Sequence, residues 1–269
     1  MAKERLDTLL VNRGFFPTRE KARKSIMAGL IFIENKRYDK PGDIVNADSN
    51  IEVKGTLIPY VSRGGLKLEK ALQEFNISVL NKKAIDVGAS TGGFTDCLLK
   101  NGAKSVVSID VGYGQFAWEL RNDKRVTLME RTNIRYVKEE DIGYLCDICT
   151  IDVSFISLRL VLPVVKKLLN SEGEVICLIK PQFEAGRDKV GKKGVVKDPK
   201  THREVISSVL KFASDSGFSV IALSFSPIKG PEGNIEYLAH LKNTPFIDTG
   251  FDTDSKVISV VEKSHSEFV

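Results

Sequence analysis

The chain has 269 residues, of which 42% are hydrophobic, and a formal net charge of +5. This length suits one medium-sized domain together with a smaller one, and the mildly basic balance favours an anionic partner. The sequence has no apolar stretch long enough to span a bilayer, and charges in its first ten residues disfavour a signal peptide, so we expect a cytoplasmic protein without a membrane partner.

The first 57 residues are predicted to form a small α+β domain. The leucines of "RLDTLL" have the spacing of a short amphipathic helix, and Thr18 can cap a second helix, which Gly29 would end. Short strand-like segments follow in "LIFIENK" and "IEVKG". Residues 1–37 hold nine Lys or Arg against four Asp or Glu, so this segment carries the charge excess of the whole chain.

The second predicted helix presents a compact cationic surface made of Arg19, Arg23 and Lys24. On charge alone, this surface fits RNA phosphates and a solvated helix face equally well. Residues 58–61 are then predicted to form a linker that Pro59 stiffens.

From Ser62 onward the sequence changes to alternating helices and strands. A helix is predicted around Leu68 and Phe75, and helices separate most of the apolar strands that follow. Repeated strand–helix units predict a Rossmann-like α/β domain, with a parallel sheet covered on both faces. The last two strands have no helix between them, so we expect an antiparallel hairpin at the sheet edge and a final helix after it. The predicted strands lie in "KAIDVG", "SVVSIDVG", "RVTLME", "DICTIDVSF", "EVICLIK", "FSVIALSFS" and "IEYLAHLK".

A glycine-rich loop in "AIDVGASTGGFTD" joins the first of these strands to a helix. It lacks the spacing of a dinucleotide fingerprint and of a Walker phosphate loop. Asp110 ends the second strand, at about the spacing where an acid binds ribose hydroxyls in such units. A glycine loop flanked by acids, without a diphosphate motif, favours S-adenosylmethionine, whose sulfonium and ammonium groups would suit Asp86 and Asp152. The alternative is an ordinary strand–helix turn with incidental glycines.

Polar residues also mark three other strand ends. Asp152 ends the fourth strand, Lys180 ends the fifth, and Glu236 begins the last. Ligands bind outside the carboxyl ends of the strands in open α/β sheets, so these side chains are expected in one cleft. If an alcohol is held nearby, Lys180 could accept the proton of the hydroxyl or orient the lone pair of its oxygen, with Asp152 and Glu236 fixing the ammonium. Lys67 could lower the pKa of that lysine, although helical spacing groups Lys67 with Lys70 on a solvated face.

The four cysteines, Cys97, Cys146, Cys149 and Cys177, are expected to be free thiols. Cys146 and Cys149 form a C-x-x-C pair, but the sequence has no second pair or histidine cluster that would complete a zinc site. We therefore expect no metal.

Several motifs, spread in order along the chain as far as about Lys242, are typical of one known family. They are "VSRGGLKLEKAL", "DVGASTGGFTDCLL", "DVGYGQFAWELRND", "ERTNIR", "DVSFISL", "LIKPQFEAG" and "GNIEYL". This set closely resembles the TlyA family of bacterial ribosomal RNA 2′-O-methyltransferases. These proteins join a small RNA-binding domain of the ribosomal-protein S-four type to an FtsJ-like methyltransferase domain, and they also carry a historical haemolysin label.

The resemblance implies a cofactor, a target and the residues that serve each. The cofactor would be S-adenosylmethionine. The target would be the ribose of a cytidine in the ribosomal RNA of the large subunit, and dual modification of both subunits is weakly favoured. The implied domains are an RNA-binding domain over 1–57, a linker over 58–61 and a methyltransferase domain over 62–269, and a monomer is favoured. The catalytic set is expected at Lys67, Asp152, Lys180 and Glu236. Cofactor-binding residues are expected at Asp86, Gly88, Ala89, Ser90, Gly92, Gly93, Phe94, Asp110, Val111, Asn133, Asp152 and Phe155. RNA-binding residues are expected at Arg5, Arg13, Arg19, Arg23, Lys24, Arg63, Arg187, Lys189, Lys192 and Lys193, the last four in a basic loop after Lys180.

Three other functions stay open at this point. A methyltransferase acting on a base would use prolines after the fourth strand or a cysteine thiolate, but "DVSF" lacks the prolines, and Cys149 and Cys177 lie inside apolar strands. A membrane-active haemolysin would need a long apolar segment or a strongly amphipathic cationic helix, and none is convincing in the sequence. An RNA-binding adaptor without catalysis would have no need of the acid–lysine–acid set.

Overall fold

The computed structural model describes residues 3–27, 29–54, 58–244 and 252–268, apart from the side chain of Arg187. The chain divides into two units, residues 1–59 and residues 60–269.

The smaller unit packs two short helices against short antiparallel strands. Leucines of the first helix and Ile26 of the second helix are buried together in the core of this unit. Thr18 accepts a hydrogen bond from the Lys21 backbone as the second helix begins, and Gly29 follows that helix with a φ of +70°, as the sequence predicts. The elements are β1 (Lys3–Arg5), α1 (Leu6–Asn12), α2 (Arg19–Met27), β2 (Ile31–Ile33), β3 (Lys36–Tyr38), β4 (Ile44–Asn46) and β5 (Ile51–Val53). Strand β1 pairs with β4, and the other three strands form a sheet in the order β3-β2-β5.

A seven-stranded mixed sheet forms the centre of the larger unit. The strands are β6 (Lys83–Val87), β7 (Ser105–Ile109), β8 (Val126–Met129), β9 (Cys146–Ile151), β10 (Leu169–Ile179), β11 (Ser219–Phe225) and β12 (Tyr237–Lys242). Their order is β11-β12-β10-β9-β6-β7-β8. The five strands from β10 to β8 are parallel, whereas β12 runs antiparallel to both β10 and β11. The predicted Rossmann-like sheet and its antiparallel edge hairpin are therefore confirmed.

Helices cover both faces of this sheet. They are α3 (Gly64–Glu74), α4 (Gly93–Lys100), α5 (Trp118–Arg121), α6 (Glu139–Ile142), α7 (Leu158–Leu168), α8 (Pro181–Glu184), α9 (Pro199–Asp215) and α10 (Thr253–Phe268), with 3₁₀ turns at Ile134–Tyr136 and Arg187–Lys189. Neighbouring residues of one strand point to opposite faces of the sheet. Ile148 therefore packs in the hydrophobic cluster that includes α3 and α4, while Cys149 packs in the cluster that includes α7, α9 and α10. Within the described ranges, no helix has the length and apolar character needed to cross a membrane.

A buried polar network joins α9 and α10 to strand β12. The imidazole Nδ1 of His202 lies 2.7 Å from the hydroxyl of Tyr237 and 3.0 Å from Nε2 of His265. Burial lowers the pKa of His202 to about 4, so this ring is neutral at neutral pH. The network fixes Tyr237, and Tyr237 directly follows Glu236 at the start of β12.

Replacing Leu162 with alanine should lower the free energy of unfolding by about 2–5 kcal/mol, because this α7 side chain is fully buried in the core. Urea unfolding followed by circular dichroism measures the loss. Leu160→Ala on the same helix is the matched control, since Leu160 is 52% exposed and its truncation should cost about 1 kcal/mol or less. Equal losses in the two variants would contradict this packing.

Candidate active site

Four charged side chains meet at the rim where the parallel strands end. The ammonium of Lys67 lies 2.6 Å from Glu236 Oε2 and 3.4 Å from Asp152 Oδ2. The ammonium of Lys180 lies 2.5 Å from Asp152 Oδ1. Two lysines and two carboxylates therefore form one continuous chain of ion pairs, with Asp152 shared between the lysines.

The sheet topology brings these residues together. Asp152 and Lys180 directly follow the neighbouring parallel strands β9 and β10, whose carboxyl ends share one edge. Strand β12 runs the other way, and its first residue, Tyr237, pairs with Ile179, so Glu236 lies at the same edge. Lys67 comes from the middle of α3 and is only 7% exposed. The solvated position that helical spacing gives Lys67 is therefore wrong, because its ammonium lies in the cleft with Asp152 and Glu236. The catalytic role that the resemblance implies for Lys67 stays a prediction.

Burial and charge act in opposite directions on this cluster. Burial lowers the pKa of Lys67, but the charges of Asp152 and Glu236 outweigh it, so the pKa lies above its ordinary value. Burial likewise raises the pKa of Asp152, yet Lys67 and Lys180 outweigh it and hold the pKa below the usual range. Both groups are therefore charged at neutral pH.

The structure revises the arrangement expected around Lys180. Both carboxylates were expected to fix its ammonium, but Glu236 contacts Lys67 and Asp152 alone bridges the two lysines. Lys180 also donates to the hydroxyl of Ser154 at 3.2 Å. Ser154 was not among the sequence-predicted site residues, although it stands two positions after Asp152 in "DVSF". An ammonium has three N–H donors, so Asp152 and Ser154 leave one for a ligand.

The glycine loop lies directly against this cluster. Gly88 has a φ of +82°, and a Cβ there would stand 2.5 Å from the backbone oxygen of Asp152. Only glycine fits both the conformation and the space. A Cβ at Gly93 would stand 2.3 Å from the hydroxyl of Ser62, so the loop also packs tightly against the segment before α3.

A cavity of about 740 Å³ lies over the carboxyl ends of β6 and β7. Asp110 lines it and accepts hydrogen bonds from the backbone N–H groups of Ser90 and Gly112, at 2.7 and 2.6 Å. The side-chain amide of Gln115 donates to Asp110 Oδ1 as well, at 3.4 Å, so of the roughly four acceptor sites of a carboxylate about one is left for a ribose hydroxyl. The cavity is also lined by Gly88, Ser90, Val111, Asn133, Asp152 and Phe155, all of them predicted cofactor residues.

A smaller cavity of about 300 Å³ lies beside the first and includes the charge cluster. It is lined by Ala89, Gly93 and Phe94, which were predicted to bind cofactor, and by Arg63, which was predicted to bind RNA. Gly92 is not among the residues that line the described cavities. A Cβ at this position would point at Leu120 and Phe116.

Asp86 does not reach the cleft where the sequence predicted it. It is fully buried and accepts hydrogen bonds from the hydroxyls of Thr95, at 2.7 Å, and Thr150, at 3.1 Å. Thr95 belongs to α4, which covers the face of the sheet onto which Asp86 points. Burial raises the pKa of Asp86 to about 7. Asp86 therefore supports the strand–helix junction instead of facing a ligand cation.

In the smaller unit, two of the predicted RNA-binding arginines pair with a buried acid. Arg5 and Arg19 both contact Asp7, at 3.1 and 2.9 Å, and the hydrogen bond from Arg5 lowers the pKa of Asp7 to about 2. Arg13 donates to the backbone oxygen of Ser49. These contacts anchor the arginine heads to the unit itself, although about half of the Arg5 and Arg19 side chains remains exposed.

The other predicted RNA-binding residues are on the surface. Arg23 and Lys24 are exposed on α2, and Lys24 lies 3.5 Å from Glu20. In the loop after α8, Lys189 pairs with Glu204, and Lys192 and Lys193 are exposed. The side chain of Arg187 lies outside the described part of the structure.

The cysteine thiols are unsuited to nucleophilic catalysis. All four are free and buried. Burial raises the pKa of Cys177 to about 12 and that of Cys149 well above its ordinary value, so neither is a thiolate at neutral pH. Among the described residues, no three His, Cys, Asp or Glu side chains are grouped so that they could hold a metal ion.

Comparisons with known proteins agree with this fold. The FtsJ-like methyltransferase model matches residues 60–243, and the S4 domain model matches residues 4–51. A protein of Bacillus subtilis strain 168 named "Putative rRNA methyltransferase YqxC" is 52% identical over 265 residues, which cover 98% of this chain and 94% of that protein. The "16S/23S rRNA (cytidine-2'-O)-methyltransferase TlyA" of Mycobacterium tuberculosis strain H37Rv is 42% identical over 241 residues, which cover 89% and 90% of the two chains. A solved structure titled "Putative hemolysin from Streptococcus thermophilus" is 49% identical with a TM-score of 0.78, and the match covers 100% of this chain and 98% of that one.

The mixed sheet, with its glycine loop and charged strand ends, is therefore that of a methyltransferase. The chain is a member of the FtsJ-like methyltransferase family, and it carries an S4 domain at its N-terminus. The predicted bounds at 57, 61 and 62 stay a prediction; in the structure the Val61 backbone donates to Asp96 within the larger unit.

The raised pKa of Asp86 makes a prediction about pH. The folded state holds the Asp86 proton more tightly than the unfolded state does, and this difference in proton affinity stabilises the fold. The stabilisation is fully present below about pH 4 and is lost as the pH rises through about 7. Asp86→Asn has no proton to lose. Between pH 4 and pH 8, the free energy of unfolding of this variant should therefore rise relative to the wild type by about 4 kcal/mol, at about 1.4 kcal/mol for each pKa unit.

Chemical unfolding at a series of pH values tests this expectation. Asp215→Asn is the control, because Asp215 is exposed and pairs only with Lys211 among its described contacts. A difference between Asp86→Asn and wild type that stays flat across this pH range would show that Asp86 is not the buried acid described here.

Proposed function

We propose that this chain transfers a methyl group from S-adenosylmethionine to the ribose 2′-hydroxyl of cytidine in ribosomal RNA. The observation that carries the proposal is the Lys67–Glu236 and Asp152–Lys180 cluster, placed where the two cavities meet. Relatives named as ribosomal RNA cytidine-2′-O-methyltransferases support the reaction and the target.

The lining of the cavities fits the proposed donor. Asp110 would bind the ribose of the cofactor, and Val111 and Phe155 would contact its base, because all three line the larger cavity. Its methionine part would extend towards the smaller cavity, where Asp152 offers a carboxylate to a positively charged group. When bound, S-adenosylmethionine supplies a methyl group on an electron-poor sulfur.

The charge cluster would act on the acceptor alcohol. The remaining N–H group of Lys180 would donate a hydrogen bond to the ribose oxygen and so orient it. This oxygen must present a lone pair to the methyl carbon, in line with the leaving sulfur. Asp152 holds Lys180 in position, and Glu236 holds Lys67, which in turn neutralises the second oxygen of Asp152. The hydroxyl loses its proton as the methyl group is transferred. Lys180 would take up this proton only after releasing one of its own to solvent, because an ammonium has no free lone pair.

The S4 domain would bring the RNA to this site. We propose Arg23 and Lys24 as its phosphate contacts, because both side chains are exposed on α2 and Lys24 pairs with an exposed acid, Glu20, whereas Arg5 and Arg19 pair with the buried Asp7. The large ribosomal subunit is the favoured substrate, with the small subunit a second one, and the enzyme would act as a monomer in the cytoplasm, where these subunits are.

Lys180→Met should lower the rate of methyl transfer by about 10²- to 10⁴-fold, the range for loss of a positioned acid–base group. The variant and the wild type are incubated with labelled S-adenosylmethionine and unmodified ribosomal subunits, and the modified nucleotide is mapped. Cofactor affinity, measured by calorimetry, should change much less than the rate, because the nucleoside part of the cofactor would lie in the larger cavity, which Lys180 does not line.

Lys211→Met is the control for a lysine removed from an exposed helix face. A Lys180→Met enzyme that keeps near wild-type transfer would remove Lys180 from the mechanism. Methyl groups on a base in the wild-type product would overturn the 2′-O assignment itself.

Arg23→Ala combined with Lys24→Ala should weaken RNA binding and reduce its salt dependence. Each phosphate contact contributes about −0.9 to the slope of log K against log salt for a duplex, so the slope should become shallower by about two. Binding to ribosomal subunits is measured over a range of salt concentrations. The control is Lys211→Ala with Lys256→Ala, two exposed lysines of the larger unit, and an unchanged slope in the Arg23/Lys24 variant would leave α2 without a role in RNA binding.

A further inference from the structure

The basic loop between α8 and α9 contains a tight turn with two lysines at its tip. The backbone N–H of Gly194 donates to the Gly191 oxygen at 2.8 Å, which makes Lys192 and Lys193 the central residues of the turn. Both side chains are exposed, and within the described part of the chain neither forms an ion pair. Residues 191–196, called the lysine turn below, therefore present two ammonium groups to an anionic partner.

One buried amide joins the base of the lysine turn to the segment that leads into Glu236. The side chain of Asn234 accepts a hydrogen bond from the Val196 backbone at 3.0 Å and donates one to the Gly194 oxygen at 2.9 Å. A backbone N–H only donates and a carbonyl only accepts, so these two contacts fix the orientation of the amide. Asn234 is 2% exposed and stands two residues before Glu236. The amide therefore ties the lysine turn to this segment.

The backbone of Asn234 continues the connection to the charge cluster. Its oxygen accepts a hydrogen bond from the Gly230 N–H at 2.9 Å. Gly230 in turn packs directly against the Glu236 carboxylate, because a Cβ there would stand 2.7 Å from Glu236 Oε1. Glu236 is the 2.6 Å partner of Lys67. Hydrogen bonds and close packing therefore run without a break from the lysine turn to the charge cluster.

We propose that Asn234 is a positioning residue, which couples contact between the lysine turn and RNA to the placement of Glu236. The inference rests on the proposed function, because it needs an RNA substrate whose phosphates meet the turn. A phosphate bound at the tip holds the lysine turn in one place, and Asn234 passes this constraint on to the Glu236 carboxylate. The two lysines then contribute to the rate of transfer as well as to binding, although neither touches the reacting atoms.

Replacing the two lysines tests the coupling without changing the buried core. Lys192→Ala combined with Lys193→Ala should make the salt dependence of RNA binding shallower by about two in slope. The decisive quantity is the single-turnover rate constant on ribosomal subunits, with enzyme and S-adenosylmethionine both saturating. This rate constant should fall by about 10-fold, in the middle of the range for residues that share one network. Contacts that served binding alone would leave it unchanged.

Asn234→Ala completes a double-mutant cycle. It should lower the same rate constant by about 10-fold, yet leave the salt slope as in the wild type, because it removes no charge and His202 still holds the Val196 oxygen at 2.9 Å. In this background, replacing the two lysines should change the rate constant by less than about twofold, since the lysine turn is already disconnected. The control is Lys211→Ala with Lys256→Ala, two exposed lysines of α9 and α10, which should leave the rate constant unchanged in both backgrounds.

The outcomes separate this inference from the proposed function. A wild type that methylates no ribose overturns the proposed function, and the inference with it. An active wild type whose rate constant or salt slope is unchanged by the lysine replacements overturns the inference alone. So does an Asn234→Ala enzyme with the wild-type rate constant, or one in which the lysine replacements cause a further 10-fold loss. If Asn234→Ala does not fold, the rate constant of the lysine variant still decides, because that variant alters exposed side chains only.

Discussion

The candidate active site depends on mutual neutralisation of charges that are largely buried at the rim of the sheet. Lys67 and Lys180 alternate with Asp152 and Glu236, and each carboxylate lies within 2.6 Å of an ammonium. A buried charge that lost its partner would be strongly destabilising, because the low-dielectric surroundings leave it uncompensated. Helix α3 and strands β9, β10 and β12 must therefore all bring their ends to one point. The cluster links the helix that precedes the sheet with the last strand that joins it.

Asp152 connects this cluster to the glycine loop. Its carboxylate bridges the two lysines, while its backbone oxygen occupies the space that a side chain at Gly88 would need. Any larger residue at Gly88 would displace the end of β9, and with it the partner of both lysines. The close packing of the glycine loop and the charge balance of the four-residue cluster are consequently two aspects of one packing constraint, which a substitution at Gly88 or at Asp152 would disturb together.

The sequence predicted the sheet well and the environment of single polar residues less well. Strands buried on both faces are continuous apolar runs, so β6 to β12 could be recognised without tertiary information. The position of Lys67 could not, because helical periodicity groups it with Lys70, and its burial depends on how α3 packs against the strand ends. Asp86 was expected beside the ligand, but the face onto which it points is covered by α4, where Thr95 binds it. Which face a helix covers is a property of the assembled layers and not of the strand itself.

The two walls of the site are joined by contacts that do not involve any ligand. The carboxylate of Glu184, at the end of α8, accepts hydrogen bonds from the Ser157 hydroxyl and the Leu158 backbone, both at 2.7 Å, and so caps the start of α7. Through this cap, the turn that carries Lys180 is tied to the segment that carries Asp152 and, three residues further on, Phe155. In-line transfer needs donor and acceptor on opposite sides of the reacting atom, within a few tenths of an ångström. Because one partly buried carboxylate joins both walls, the fold itself sets the distance between them.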